Sequence, residues 1–334
     1  MIKSSNQQRR SRISFKSAGL VCSILLATLS MNQAAVAQDG YPSRTIMLSA
    51  GFAAGGPTDI VARALAQKLG AILGQSVVVE NRPGADGRIQ LQHLANAAPD
   101  GYQLGLVDAG LIINSILYKN LPYKVKDFTP ITYLGELANF IAVTPSLKLN
   151  TLTDFLSYAK ANPGKLNYGA TATAQILATE QLIDMTKLSM ERVQYKGASA
   201  AIPALMSGEI HALVSVAGTL APMGKEGRVK VLAVTAKQRS SLMPEVPTTA
   251  EAGLPGYTFA NWYVIAGPAN MPPAIADKVN GAVLKMLTDR DLVAQLERMG
   301  ITVEPASGAK LVEFMDAEHE KVSQLTRKLN FKAE

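Results

Sequence analysis

Cysteine is nearly missing from this chain, with one in 334 residues. That excludes a disulfide framework and any cysteine-cluster metal site. Histidine is almost as sparse. His93, His211 and His319 stand far apart, with no HxH or HExxH spacing, so no zinc centre is expected. Charge is modest at 18% of residues, against 48% hydrophobic, which argues against disorder and leaves ample apolar material for a core. The length suggests two domains of about 150 residues each.

An acid-free N-terminus explains most of the net charge of +7. Lys3, Arg9, Arg10, Arg12 and Lys16 precede an apolar stretch at residues 18–31, and Ala35-Val36-Ala37 follows as a small-x-small cleavage signal. This is the plan of a secretory signal peptide over residues 1–37, too short in its apolar part to span a membrane comfortably. Without those residues the charge falls to +2, which gives no reason to expect a nucleic-acid partner. Arg9-Arg10 leaves a twin-arginine route open beside the general one, although Arg12 sits where an apolar residue is usual. Cys22 lies inside the apolar run, behind the bulky Val21, and does not read as a lipoprotein cysteine. The mature chain, starting at Gln38, then has no cysteine, which suits an oxidising compartment.

Strand-like and helix-like segments alternate in the mature chain. Residues 45–50, 76–80 and 102–107 read as strands, with helices at 59–73 and about 89–96 between them. The pattern predicts βαβ units and a parallel sheet. It repeats beyond Pro145: helices at about 151–162, 174–186 and 199–206 alternate with strands at 166–168, 192–195, 210–214 and 229–234. A strand-like run at 257–265, helices at 274–287, 291–299 and 309–329, and a short strand at 301–303 close the chain. These last elements are too few for a third domain and should complete the first. The chain must then cross between lobes near residues 140–144 and again near 258–265, which makes a hinge and a cleft.

Catalytic signatures are absent. Gly51-Phe-Ala-Ala-Gly-Gly-Pro-Thr58 lacks the Lys-Ser/Thr of a P-loop, and no G-x-G-x-x-G or G-x-S-x-G occurs. That turn could favour an anion through backbone N–H groups at a helix N-terminus, or be an ordinary βα turn. Gly169-Ala-Thr-Ala-Thr-Ala174 and Tyr195-Lys-Gly-Ala-Ser199 occupy similar places, at strand C-terminal ends where open α/β sheets bind ligands. His211 lies in an apolar segment and reads as a hydrogen-bonded core or edge residue. Trp262 reads as core, or as a wall of the cleft.

An ordered set of motifs runs through the mature chain: Tyr41-Pro-Ser-Arg-Thr-Ile, Gly55-Gly-Pro-Thr-Asp59-Ile-Val-Ala-Arg, Val79-Glu-Asn-Arg-Pro-Gly84-Ala, Ala98-Pro-Asp-Gly-Tyr102, Lys126-Asp-Phe-Thr-Pro130, Pro163-Gly-Lys-Leu-Asn-Tyr168, Val193-Gln-Tyr-Lys-Gly197, Leu232-Ala-Val-Thr and Val246-Pro-Thr-Thr-Ala-Glu-Ala-Gly-Leu-Pro-Gly256. Together they resemble the Bug-type receptor family of tripartite tricarboxylate transporters. The resemblance implies an α/β, two-lobed periplasmic binding protein of type II (Venus-flytrap) fold, with two Rossmann-like lobes joined by two crossover segments. Lobe 1 would comprise residues 38–142 and 264–334, and lobe 2 residues 143–263. The implied ligand is a small carboxylate. The implied ligand residues are Phe52, Ala53, Ala54, Gly55 and Thr58; Asp108; Thr171, Ala172 and Thr173; Lys196, Gly197, Ala198 and Ser199; Ser215; and Trp262. This chain departs from the family pattern in the second lobe. The loop after Tyr168 is about two residues shorter without an inner glycine, Ile176 replaces a common His, and Ser215 and His211 stand where Asp is frequent.

The function expected is therefore capture of a small carboxylate in the interlobe cleft and its delivery to membrane permease subunits. No catalysis, cofactor, metal or nucleic acid is expected, and the receptor should act as a periplasmic monomer. Two alternatives stay open: a ligand sensor for a two-component kinase, and an exported enzyme on the same fold.

Overall fold

The computed structural model describes residues 40–331, so the signal-peptide reading and Cys22 lie outside the described residues. All the elements below lie within the compact unit that begins at Arg44.

Strand β1 (Ile46–Ala50) is an apolar, almost wholly buried run. The chain then turns into helix α1 (Pro57–Leu73). The helix begins two residues earlier than Asp59, because Pro57 at its first position has φ preset and needs no N–H partner. It ends where Gly74 takes a left-handed conformation, φ 72°, and donates its N–H to the carbonyl of Gly70. Strand β2 (Val77–Asn81), helix α2 (Arg88–Ala95), strand β3 (Gln103–Asp108) and helix α3 (Gly110–Leu117) follow.

Strand β4 (Phe128–Val143) is the long element that unites the fold. Beyond it lie α4 (Leu152–Ala161), β5 (Leu166–Ala170), α5 (Thr173–Thr186), β6 (Met190–Gln194), α6 (Ala198–Ser207), β7 (Ala212–Val216), α7 (Ala217–Lys225) and β8 (Lys230–Val234). Strand β9 (Ala260–Pro268), α8 (Pro273–Met286), α9 (Arg290–Arg298), β10 (Ile301–Ala306) and α10 (Ala309–Lys328) complete it.

The strands run in the order β2-β1-β3-β9-β4-β7-β5-β6, with β10 and β8 also on β4. From Phe128 to Ala138, β4 pairs antiparallel with β9, and from Asn139 to Val143 with β7. One continuous strand thus passes from the first half of the fold to the second. β1, β2 and β3 are mutually parallel, as are β5, β6 and β7. β9 runs against β3 and β4, and β4 runs against β7, so each half is mixed rather than wholly parallel. The closing elements do join the first half: β9 lies between β3 and β4, β10 pairs with β4, and α8 packs on α1. This is the expected two-lobed α/β fold.

Helices α3 and α7 and the full extent of β4 are not legible in the sequence pattern. α7 contains Pro222 and two glycines, which give little helical propensity; packing on β4, β7 and β8 holds it. β4 is a run buried on both faces with no helical or alternating period.

Candidate functional site

Five helices begin at strand ends around one cavity of about 220 Å³. By volume it would hold about seven waters, at roughly 30 Å³ each. Its wall includes the first turns of α1, α3, α5, α6 and α7, through Pro57 and Thr58, Gly110 and Ile113, Ala174 and Gln175, Ala198, and Thr219. The first turn of a helix carries unpaired N–H groups and a partial positive charge, worth about 0.3–1 kcal/mol toward a nearby anion.

Of the residues expected from the sequence, the structure brings Phe52, Thr58, Asp108, Thr171, Ala172, Gly197, Ala198 and Ser215 to this wall. Ala53, Ala54, Gly55, Thr173, Lys196, Ser199 and Trp262 are not on it. Ala53, Ala54 and Gly55 are exposed, because the turn bulges outward to bring Pro57 to the helix start. Lys196 and Ser199 are exposed as well, the lysine on the loop ahead of α6 and the serine on its outer face. Trp262 is 1% exposed and lies on the opposite face of β9. Its ring meets Phe314 edge-on at 5.6 Å, and its indole N–H reaches a Glu318 carboxylate oxygen at 3.4 Å. Strand alternation is the reason: Asn261 and Tyr263 face the cavity, so Trp262 between them faces the core.

Other wall residues are not apparent from the sequence, namely Asp86, Gln175, Thr219, Asn261 and Tyr263. For Asn261 and Tyr263 a signal exists, since an apolar Trp262 facing the core puts its neighbours on the other face. Asp86 sits in a glycine-rich segment that reads only as a turn.

The polar contacts divide the wall. Thr58 Oγ1 and the Tyr263 hydroxyl share a hydrogen bond of 2.7 Å. Asp59, buried behind the wall, turns away from the cavity. It accepts from the Gly55 N–H at 2.9 Å and from Arg63 Nε at 2.9 Å, and Arg63 holds its carboxyl below the usual range. Asp108 Oδ1 accepts from the Gly110 N–H at 2.9 Å. Burial and then the neighbouring Asp86 push the Asp108 carboxyl up to about 7. Asp86 has a left-handed backbone, φ 54° and ψ 46°, tolerable for Asp, and its Oδ2 accepts from the Thr173 N–H across the cleft at 3.3 Å. On the far side, Gln175 Nε2 donates to Asn139 Oδ1 at 3.4 Å, and the fully buried Asn139 donates to the Phe259 carbonyl at 3.0 Å. Among the described residues, no lysine or arginine is on the wall.

No cluster that could hold a metal ion occurs among the described residues. Among those residues, too, no helix is long and apolar enough to cross a membrane. His211 lies outside the wall, at the start of β7, with Nδ1 2.7 Å from Asn167 Oδ1; burial lowers its pKa.

Residues 61–331 match the model of the tripartite tricarboxylate transporter family receptor. Protein BugT of Bordetella pertussis is 32% identical over 287 residues, spanning 84% of this chain and 88% of BugT. Among solved structures, Rpa4515 of R. palustris with adipate superposes with a TM-score of 0.79 at 30% identity, covering 87% of this chain and 98% of that one. MatC from Rhodopseudomonas palustris with bound malate gives 0.73 at 28% identity, covering 85% and 99%.

Proposed function

The chain belongs to the tripartite tricarboxylate transporter receptor family, and from that premise we propose that it captures a small carboxylate in the cavity between its lobes and hands it to the permease of a tripartite tricarboxylate-type transporter. The observation that carries this reading is the convergence of five helix N-termini on one small, mostly apolar cavity lined from both halves. Adipate and malate in two related structures support the ligand class.

In this reading the protein works in the periplasm after losing residues 1–37, and does no chemistry. Lobe 1 is assigned residues 38–142 and 264–334, and lobe 2 residues 143–263. The change of partners on β4 between Ala138 and Asn139 supports a first hinge segment a few residues ahead of that boundary. Ligand would bind between open lobes, and closure would bury it for delivery.

A thermal-shift and calorimetric screen of the mature protein tests the reading. At least one small carboxylate should raise the melting temperature, with its neutral amide weaker. Saturation at a hundred times Kd would add about 2.7 kcal/mol. A protein that no carboxylate stabilises is not this receptor.

A further inference from the structure

We propose that the ligand carries a protonated amine as well as its carboxylate, and that Asp86 and Asp108 hold that amine while the N-termini of α6 and α7 hold the carboxylate. The inference rests on the receptor reading and names the substrate class of the same cavity.

Some of the helix ends around the cavity are already occupied. Asp108 takes the first N–H of α3, and Asp86 takes that of α5. The α1 end has no side-chain cap, but it lies on the acidic side: Thr58 meets Tyr263, which pairs in register with Asp108, and Asp59 is in the same first turn. α6 and α7 have neither an acidic residue in the first turn nor a side-chain cap. An anion is therefore best placed at the second-lobe end, beside Gly197, Ala198, Ser215 and Thr219.

The opposite end is rich in unsatisfied acceptors. Asp108 borders the cavity, with Oδ1 held by the Gly110 N–H. Asn261 Oδ1 is a buried atom without a partner on the same wall. Beneath them, the fully buried Asn114 donates to the Asp86 carbonyl at 3.1 Å, and its own amide oxygen has no partner. Two carboxylates and a lone amide oxygen, with no cation on the described wall, repel a second ligand carboxylate and suit an ammonium's three donors. Dicarboxylates should be disfavoured accordingly.

The carboxyl of Asp108, raised to about 7, faces Asp86 and the tyrosines Tyr123 and Tyr263, with Arg88 near Tyr123. An ammonium bound there would draw off its proton, so binding near pH 7 should release protons to the buffer.

Calorimetry on the full mature protein tests this with matched probes: β-alanine, γ-aminobutyrate and ε-aminocaproate against succinate, glutarate and adipate. In at least one pair the amino acid should bind tenfold or more tightly than the diacid, about 1.4 kcal/mol. Proton release should appear when buffers of different ionisation enthalpy are compared. The Asp86→Asn/Asp108→Asn double variant, checked for folding by its melting curve, should lose that preference by tenfold or more, and Asp108→Asn alone should lose the proton release. Diacids that match or beat every amino acid, or an unchanged ratio in the folded double variant, overturn the assignment. If other carboxylates bind but neither probe series does, the amine assignment falls and the receptor reading stands. If no carboxylate binds, both fall.

Discussion

The two walls of the cleft are built from different chemistry. The wall beside β1 and β3 presents Phe52, Thr58, Asp86 and Asp108, joined by Asn261 and Tyr263 of the crossover strand β9, with two acidic groups and an aromatic hydroxyl. The second-lobe wall presents Thr171, Ala172, Gly197, Ala198, Ser215 and Thr219, small or hydroxyl-bearing residues without charge. Both use strand ends and helix starts, so backbone geometry is common to them and side chains decide the difference. In the proposed reading the anion sits at the starts of α6 and α7, which have no side-chain cap, and Asp86 and Asp108 set selectivity.

The largest expected effect separates the cleft face of β9 from its core face. Trp262→Ala should cost about 3–5 kcal/mol of stability, read from urea unfolding, because the indole packs wholly inside against Phe314. Affinity for a confirmed ligand at 25 °C should change by no more than about twofold, since Asn261 and Tyr263 form the wall. A large loss of affinity in folded protein would put Trp262 in the cleft after all.

Next comes the neutral wall. Ala198→Asp places a carboxylate at the α6 N-terminus, inside the cavity, and should weaken carboxylate binding by about a hundredfold, near 2.7 kcal/mol. The comparison sharpens with pH on the acidic wall. Asp108 is raised from 3.8 to about 7, so the folded protein keeps a proton that the unfolded chain gives up. Whatever this group adds to stability is complete below pH 3.8 and is lost as pH rises through about 7. The unfolding midpoint of Asp108→Asn, relative to the original protein, should therefore climb from pH 4 to pH 8. A flat difference across that range would mean an ordinary carboxylate. The smallest effect is expected of Ala54→Asp, whose exposed site lies off the wall and should leave affinity within about twofold.

Much of this architecture is legible in the sequence. Periodicity marks α1, α8 and α10 because each buries one face, and a β-branched run marks β2. The three turns singled out at strand ends border one cavity, and eight of the expected residues stand on its wall. Ala53 and Ala54 stand off the wall for a physical reason: a turn that borders a cavity has an outer side that residue type does not reveal.

The amino-acid sequence by itself determined the two-lobed α/β fold, the family and the absence of catalytic motifs, because these rest on hydrophobic period, turn residues and motif order along the chain. Only the tertiary structure decided which side chains share the cavity. Asp86 and Asp108 lie 22 positions apart, and Thr173 another 65 beyond, yet Asp86 faces both. Burial then pushes the Asp108 carboxyl up to about 7, a property of the surrounding dielectric that no local stretch of chain encodes.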